Sequence, residues 1–486
     1  MMNYELFCTF AFIMLQDELI YQIETRFGHV PTYEQRQALQ EFAAFMTDRD
    51  EQVVMILRGS AGTGKTTLAS AIVRAMVALH QKMVLMAPTG RAAKVFSNYS
   101  GRPAFTIHRR IYRQKTAGDL SAFSLGFNAA QDTLFIVDEA SMIANGETPL
   151  LDDLIRYVYN YKNCRLMLIG DCAQLPPVGE DESPALMSGM LRGYGMRVYE
   201  CDLNEVLRQA EDSGILWNAT RIREGVQECK SILPKIRFDG FTDICVMPGD
   251  ELIESLASSF SRVGADETMV VTRSNKRANI YNQGIRNTVL DREEELCRGD
   301  RIMIVKNNYY WIKGEGIQGN EEKCLEFIAN GDIAVVQRVR HIHELYGFRF
   351  AEVTMTFPDY DDYELTAITM LDTLTTEAPA LTRERQEQLY NKVMEDYRDI
   401  PNKSERLKKL KDDKYYNALQ IKFAYAATCH KAQGGQWAHI YIDQGYMTDD
   451  MLSSDYFHWL YTALTRATEK VFLVNWPKTQ IESPSA

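Results

Sequence analysis

A glycine-rich segment between an apolar run and an amphipathic run constrains this chain more than any other feature. Residues 53–57 (VVMIL) are continuously apolar, which is typical of a parallel strand buried on both faces. Residues 59–67 (GSAGTGKTT) follow, and Leu68, Ile72 and Met76 then recur at helical spacing. Strand, glycine-rich turn and helix in this order predict a phosphate-binding loop.

The residue types of this loop indicate how it would bind a nucleoside triphosphate. Its glycines allow the backbone to curl, so that its N–H groups and the N-terminus of the next helix point at phosphate oxygens. Lys65 is expected to reach the outer phosphates of ATP, and the Thr66 hydroxyl to bind Mg²⁺. Gln35, in a helix-capping pattern upstream, is a candidate for reading the adenine edge, although a glutamine taken alone is more often a surface residue. The predicted nucleotide-binding residues are Gln35, Gly59, Ala61, Gly62, Thr63, Gly64, Lys65, Thr66 and Thr67.

Two further apolar runs end in polar residues that a parallel sheet would bring to the same edge as this loop. Residues 134–137 (LFIV) lead into Asp138 and Glu139, at the carboxyl edge where such sheets bind ligands. Asp138 is expected to hold Mg²⁺ through water, and Glu139 to orient and deprotonate the attacking water. For an Asp-Glu pair alone, a solvated helix cap is the alternative. Residues 165–169 (RLMLI) lead to Gln174, which is placed to contact a γ-phosphate and report its loss.

The composition favours a multidomain protein of a reducing compartment. At 486 residues the chain is too long for one core. Nine cysteines without a Cys-x-x-Cys pair fit neither a zinc cluster nor a disulfide framework, so the cytoplasm suits them best. Residues 6–15 are apolar but lack signal-peptide flanks and are too short to span a bilayer, so a packed helix or an extended start is expected, and no membrane partner. A net charge of −12 argues against indiscriminate coating of nucleic acid but leaves room for a narrow basic groove.

Together, residues 59–67, 138–141 and 170–178 resemble the superfamily 1 helicases, and more narrowly their RecD-like and Dda-like branch, which moves 5′ to 3′. The resemblance extends from about Pro31 to the end of the chain. It implies an α/β fold of two RecA-like P-loop NTPase lobes, each a parallel sheet flanked by helices, with ATP between them. It also implies that ATP hydrolysis drives movement along DNA.

Other segments of the resemblance imply contacts with nucleic acid. Residues 87–94 (APTGRAAK) and 105–109 (FTIHR) match two family motifs that grip the DNA backbone. Residues 423–436 (FAYAATCHKAQGGQ) are similar to motif V, where a strand before a Gly-Gly turn suits phosphate contacts. Considered alone, the first and last segments would be a solvated helix start and a helix cap. The implied nucleic-acid-binding residues are Pro88, Thr89, Arg91, Lys94, His108, Thr428, His430 and Lys431.

Two arginines complete the implied ATP site from the second lobe. Residues 202–209 (DLNEVLRQ) resemble the family segment whose arginine contacts the γ-phosphate, and residues 461–467 (YTALTRA) resemble motif VI. The resemblance therefore implies that Arg208 and Arg466 are arginine fingers, which stabilise the charge that develops on the phosphate. The predicted catalytic residues are Lys65, Glu139, Gln174, Arg208 and Arg466.

Two insertions bear on what kind of motor this is. Residues 123–127 alternate between apolar and small or polar types, a weak strand signal. The family has a duplex-splitting pin there, and a small satellite core is the alternative. Residues 298–419 predict a small antiparallel barrel and then a charged helical segment, and Asn330-Gly331 predicts a hairpin that pairs residues 327–328 with 333–336. The family's insert at this place is SH3-like and contacts the translocating strand.

These patterns predict four parts. They are a first RecA-like lobe (1–104 and 134–200), a pin-type insertion (105–133), a second RecA-like lobe (201–297 and 420–486) and an SH3-like β-barrel insertion with a charged helical segment (298–419). The expected activity is that of an ATP-dependent DNA helicase acting on single-stranded DNA and duplex junctions, with recombination or replication proteins as candidate partners. A nucleic-acid-stimulated ATPase that remodels protein–nucleic-acid complexes, and a translocase on RNA, stay open as alternatives.

Overall fold

In a computed structural model of the chain, the described residues are 14–114, 123–146, 149–205, 212–227, 235–312, 328–448, 451 and 453–482. They form two parallel sheets, a closed five-stranded barrel and a two-stranded hairpin. The predicted α/β fold of two RecA-like lobes with a barrel insertion is therefore confirmed. Among these residues no helix is both long and apolar enough to cross a membrane.

The first lobe is built on strands β1 (Val53–Gly59), β2 (Lys82–Ala87), β3 (Ala104–Thr106), β6 (Thr133–Val137), β7 (Arg165–Gly170) and β8 (Arg197–Leu203), with the hairpin strands β4 (Tyr112–Gln114) and β5 (Phe123–Leu125) beside them. The six sheet strands lie in the order β3-β2-β6-β7-β1-β8, and all neighbours are parallel. Strands β6 and β7 are buried along their whole length, which explains their continuous apolar sequences.

Helices cover both faces of the first sheet. They are α1 (14–24), α2 (Tyr33–Thr47), α3 (Lys65–Ala78), α4 (Gly90–Ser100), α5 (Ile107–Ile111), α6 (Leu150–Tyr159) and α7 (Ser188–Gly193). One core, with Phe42 and Ile72 at its centre, packs α2 and α3 against the sheet. A second core, which includes Leu154, packs α5, α6 and α7 against the other face. All strands therefore end at one carboxyl edge, where the predicted phosphate loop lies.

The second half of the chain contains strands β9 (Ile244–Met247), β10 (Thr268–Thr272), β11 (Arg301–Ile304), β12 (Ile333–Leu345), β13 (Phe348–Phe357), β14 (Tyr363–Met370), β15 (Leu419–Phe423), β16 (Ala426–Thr428), β17 (Trp437–Asp443) and β18 (Ala467–Val474). Its helices are α8 (Gly214–Gln227), α9 (Leu252–Arg262), α10 (Asn275–Gly284), α11 (Arg383–Asp396), α12 (Lys403–Lys411), α13 (Cys429–Ala432) and α14 (Ser454–Leu464). The second sheet has the order β16-β10-β17-β18-β9 and is parallel throughout.

The barrel differs from the sequence expectation in two ways. It closes in the order β11-β12-β13-β14-β15, but β14 and β15 pair in parallel, so the prediction of an all-antiparallel barrel is wrong. A parallel pair needs a long crossover, which α11 and α12 supply. The predicted hairpin around Asn330-Gly331 is also wrong. The turn exists, with Gly331 at φ +97°, but Ile328 bridges to Asn308 and β12 pairs with β11 and β13.

A buried ion cluster joins the barrel to the second lobe. Asp300, which is fully buried just before β11, lies 3.0 Å from Arg286 and 2.8 Å from Arg292. The Arg292 guanidinium also donates to the hydroxyl of Tyr425, which stands between β15 and β16. Because a buried charge is costly unless it is paired, this cluster fixes the point where the chain leaves and re-enters the lobe.

The predicted pin region contains an antiparallel hairpin. Strands β4 and β5 pair over three residues each, from Tyr112↔Leu125 to Gln114↔Phe123. The strand predicted near Phe123 is therefore confirmed. The connection between them, residues 115–122, lies outside the described residues, so a duplex-splitting tip stays a prediction.

Candidate active site between the two lobes

The phosphate loop connects β1 to α3. Gly62 and Gly64 both have φ near +80°, a backbone region in which glycine is tolerated and other residues are strained. The Lys65 ammonium lies over the loop and donates to the carbonyls of Gly59 at 2.5 Å and Ser60 at 2.8 Å. It also lies 3.9 Å from the carboxylate of Asp171. The lysine is thus at the mouth of the loop, where the outer phosphates are expected.

Gln35 supports this loop from α2. Its side chain is buried, which makes the surface alternative wrong. The amide Nε2 donates to the Thr63 carbonyl at 3.0 Å, and Oε1 accepts from the Thr32 amide at 3.0 Å in a capping box. Gln35 therefore ties the start of α2 to the phosphate loop. An adenine contact stays a prediction.

The acidic pair follows β6 at the same edge. Glu139 has φ +53°, a left-handed conformation, and is the N-cap of a short 3₁₀ turn. Burial, together with repulsion from Glu139, raises the pKa of Asp138 to about 7. A divalent cation beside this carboxylate would offset both causes. Asp138 and the Thr66 hydroxyl are hard oxygen donors, so they fit Mg²⁺ chemically.

Three of the predicted catalytic side chains meet across the cleft. Arg466, which follows α14 and is almost fully buried, lies 3.6 Å from the Glu139 carboxylate. With its amide oriented to suit both neighbours, Gln174 donates to Glu139 Oε2 at 3.3 Å and accepts from Arg466 Nη2 at 3.2 Å. The Arg466 guanidinium is held in place by the carbonyls of Thr462 and Gly435. A candidate base, a sensor and an arginine thus form one cluster with members from both lobes.

The loop that carries Gln174 is itself bound by the second lobe. The Leu175 amide donates to the Thr462 hydroxyl at 2.8 Å, and Gln433 Nε2 donates to the Leu175 carbonyl at 2.7 Å. His458 contacts the carbonyls of this loop as well. Loss of a contact at Gln174 would therefore disturb the hydrogen bonds that this loop forms with α14 and with Gln433 at the end of α13.

Sequence reasoning missed Asp171 and Tyr461. The buried Asp171 carboxylate accepts from the Tyr461 hydroxyl at 2.6 Å, and that hydroxyl in turn accepts from the Ala61 amide at 2.9 Å. Burial and the neighbouring carboxylate raise the pKa of Tyr461 well above its usual value. Asp171 could have been found, because it follows β7 at the same edge as Asp138 follows β6. No local sequence pattern marks Tyr461, because its role depends on contacts with the first lobe, which is far away in the sequence. Arg208 lies outside the described residues, so its place in the site stays a prediction.

The predicted strand-binding motifs of the two lobes touch each other. Thr89 is the N-cap of α4, and its hydroxyl accepts from the Ala92 amide at 3.2 Å. A Cβ atom at Gly434 would lie 2.9 Å from Ala92 Cβ and 3.0 Å from Thr89 Oγ1, so only glycine allows this approach. Pro88 follows strand β2, and Thr428 ends strand β16, beside these turns. The turn before α4 and the turn after α13 therefore lie against each other.

Two side chains of α4 that are predicted to bind a nucleic-acid strand contact other domains of this chain. Arg91 donates to the Gln436 carbonyl at 2.6 Å and stacks over the Trp437 ring at 4.4 Å. Lys94 donates to the Pro358 carbonyl of the barrel at 3.2 Å. These contacts link α4 to the second lobe and to the barrel. A role for both residues on a nucleic-acid strand stays a prediction.

The remaining predicted contacts lie on α5 and α13. His108 is 5.5 Å from the Tyr112 ring, and burial lowers its pKa, so it is neutral at pH 7. His430 is exposed. Burial, with Lys422 nearby, lowers the pKa of Lys431 to about 8. No carboxylate of the described segments forms an ion pair with Lys431, and an ammonium group that is partly stripped of water in this way is suited to a phosphate.

Two family models match this chain. Residues 32–235 match the AAA domain family, and residues 423–474 match the UvrD-like helicase C-terminal domain. The first match covers the phosphate loop, the acidic pair and the Gln174 loop. The second covers motif V and Arg466.

Known relatives align along most of the chain. The ATP-dependent DNA helicase dda of Enterobacteria phage T4 is 25% identical over 444 residues, 86% of this chain and 93% of the relative. The ATP-dependent RecD2 DNA helicase of Deinococcus radiodurans is 24% identical over 91% of this chain, which spans 50% of that longer protein. A solved structure of Pif1 helicases at forked DNA is 16% identical, with 94% of this chain and 95% of that chain aligned at a TM-score of 0.48.

The fold and the cleft define a P-loop ATPase with two RecA-like lobes. Its nucleotide-binding lobe and its motif VI lobe match the two family models in the expected order. Within this class, the two family models and the aligned relatives support a superfamily 1 helicase of the RecD-like and Dda-like branch.

Glu139→Gln tests the assignment of the base. The amide keeps the size of the side chain and its contact with Gln174 but cannot accept a proton from water. We expect ATP and single-stranded DNA to bind as in the wild type, while the steady-state hydrolysis rate falls at least ~100-fold. Glu182→Gln, a change of the same kind at an exposed glutamate, is the control. A wild-type rate in Glu139→Gln would show that another group is the base.

Proposed function

We propose that this chain is an ATP-dependent DNA helicase that translocates 5′ to 3′ on single-stranded DNA and separates duplexes at junctions. The cluster of Glu139, Gln174 and Arg466 carries the proposal, because it places hydrolysis at a cleft that both lobes must close. The helicase names of the relatives support DNA as the substrate. The direction rests on the resemblance to the RecD-like and Dda-like branch.

The proposed hydrolysis step assigns one task to each side chain. Lys65 and the loop amides hold the outer phosphates, Gln174 contacts the γ-phosphate, and Glu139 orients the attacking water. Glu139 takes a proton from that water, and Arg466, with Arg208, stabilises the charge on the transferred phosphoryl group. Mg²⁺, held by Thr66 and Asp138, would neutralise charge on the β- and γ-phosphates. When the γ-phosphate leaves, Gln174 and Arg466 lose a shared partner and the cleft reopens.

The proposed track for the strand runs over both lobes. The turn before α4 and the turn after α13 meet at Thr89 and Gly434, so a strand that crosses this surface contacts the two lobes in succession. Opening and closing of the cleft then changes the distance between the strand-binding residues of the first lobe and those of the second lobe. Alternation of tight and loose grips would move the strand in one direction.

We propose the division of the chain that the sequence predicts, with strands β3, β8 and β15 each assigned whole to one part. The first lobe comprises 1–104 and 134–200, the pin 105–133, the second lobe 201–297 and 420–486, and the barrel 298–419. Sheet membership supports this with small shifts: β3 and β8 belong to the first sheet, and β15 completes the barrel.

A second candidate function is remodelling of protein–nucleic-acid complexes by translocation without unwinding, on DNA or RNA. It is favoured by the small size of the pin-type insertion, 105–133, and by the net charge of −12. Translocation along a strand needs only the strand contacts of the two lobes, whereas strand separation also needs a wedge that splits the duplex.

Duplexes with a 5′ or a 3′ single-stranded overhang test activity and direction together. With ATP at low salt, we expect the helicase to unwind the 5′-overhang substrate and to leave the 3′-overhang substrate double-stranded. Displacement of a tightly bound protein from single-stranded DNA, measured in parallel, detects translocation alone. Displacement without unwinding of either duplex would favour the remodelling function, and unwinding from a 3′ overhang would reverse the direction.

Lys431 makes the affinity for single-stranded DNA depend on pH. Its pKa of about 8 means that the ammonium is charged near neutral pH and loses its proton as the pH rises through that value. We expect affinity to fall about tenfold from about pH 7 to about pH 9, if the bound phosphate keeps the lysine charged. Lys431→Arg, which stays charged, should flatten the fall, whereas Lys409→Arg on exposed α12 should not. Equal pH dependence in both variants would contradict a phosphate contact at Lys431.

A further inference from the structure

The second lobe contacts the phosphate loop through Arg223, a residue that has no task in the proposed hydrolysis step. Arg223, on α8, is buried, and its guanidinium Nη1 donates to the hydroxyl of Ser60 in the loop. Its Nε is also buried and has no hydrogen-bond partner among the described residues. Within the same set of residues no carboxylate lies at ion-pair distance from it. Burial of a guanidinium that is only partly paired costs free energy of folding. We therefore expect Arg223 to have a role beyond packing.

Ser60 connects this guanidinium to the catalytic lysine. The Ser60 carbonyl accepts from the Lys65 ammonium at 2.8 Å and from the Thr63 hydroxyl at 2.9 Å. Its hydroxyl faces Arg223. The side chain of Ser60 is therefore held by the second lobe, while its backbone holds the residues that are expected to bind phosphate.

Tyr461 holds the next residue of the loop in the same way. Its hydroxyl accepts from the Ala61 amide and donates to Asp171, the carboxylate nearest to the Lys65 ammonium. Two consecutive loop residues, 60 and 61, thus take their positions from α8 and α14 of the opposite lobe. A change in the separation of the lobes must alter or break both contacts.

We propose that Arg223 is a positioning residue that couples closure of the two lobes to the shape of the phosphate loop, so that strand binding accelerates hydrolysis. The proposal rests on the proposed function, since it assumes a strand that closes the lobes. With the cleft closed, Arg223 fixes Ser60, and Ser60 fixes Lys65 against the loop. With the cleft open, Ser60 loses the guanidinium and the loop relaxes. Arg223 itself does not touch the ATP.

The test compares ATP hydrolysis with and without single-stranded DNA in the full chain. Arg223→Ala should lower kcat in the presence of DNA by about tenfold, the scale of one lost charged hydrogen bond, while KM for ATP changes less than about twofold. The ratio of the DNA-stimulated rate to the DNA-free rate should fall as well. Ser60→Ala should have the same effect. The double variant should be no slower than either single variant, because both remove one contact.

Three variants keep the test decisive. Arg221→Ala removes an exposed arginine of the same helix, which stacks on Trp217 at 5.2 Å, and should behave as the wild type. Ser60→Ala is a small change in a loop, so it remains informative if Arg223→Ala does not fold. Arg223→Lys, which can still donate to a hydroxyl, should recover part of the lost kcat.

Three results would overturn the proposal. They are an equal loss of rate with and without DNA, a rise in KM without a loss of kcat, and additive effects of Arg223→Ala and Ser60→Ala. Failure of this inference differs from failure of the proposed function. A wild-type chain whose hydrolysis does not respond to DNA would contradict both. A wild-type chain that responds, with Arg223→Ala keeping the full ratio, would contradict only the coupling role.

Discussion

The attraction between the Arg466 guanidinium and the Glu139 carboxylate across the cleft is the contact on which the rest of this structure depends. The two groups belong to different sheets, lie 3.6 Å apart and share Gln174 as a polar neighbour. A charge pair of this kind is strong only where water is excluded, which requires the lobes to be closed. Arg466 is almost fully buried, so the closed cleft provides that environment. The catalytic chemistry of this site therefore depends directly on whether the two lobes are closed.

Parallel sheets explain how so many groups reach this cleft. Strands β1, β6 and β7 end at one edge and deliver Lys65, Glu139 and Gln174 within a few residues of their ends. The second sheet presents α14 to that edge. This helix contacts the phosphate loop and the Gln174 loop, and Arg466, just after it, contacts the acidic pair. The barrel interrupts the second lobe but not its sheet, because the buried Asp300 cluster closes the insertion at its base.

Local features of the sequence predicted much of this arrangement. Continuous apolar runs marked β1, β6 and β7, and the residues that follow each run were correctly placed at one edge. Contacts between residues far apart in the chain had no local signal. The contacts of Tyr461 with Ala61 and of Arg223 with Ser60 depend on the packing of two lobes, and a single arginine in a helix usually lies on the surface. The parallel closure of the barrel was missed for the same reason, since the crossover through α11 and α12 sets the strand direction.

Single-turnover hydrolysis by Arg466→Ala, measured together with nucleotide affinity, tests the shared site most directly. If the second lobe supplies the charge that stabilises the transferred phosphoryl group, the rate should fall by about 10³-fold or more. The affinity for ATP should stay within a few-fold of the wild type, since Lys65 and the loop are intact. Hydrolysis near the wild-type rate in this variant would show that the first lobe works alone, and would contradict the account.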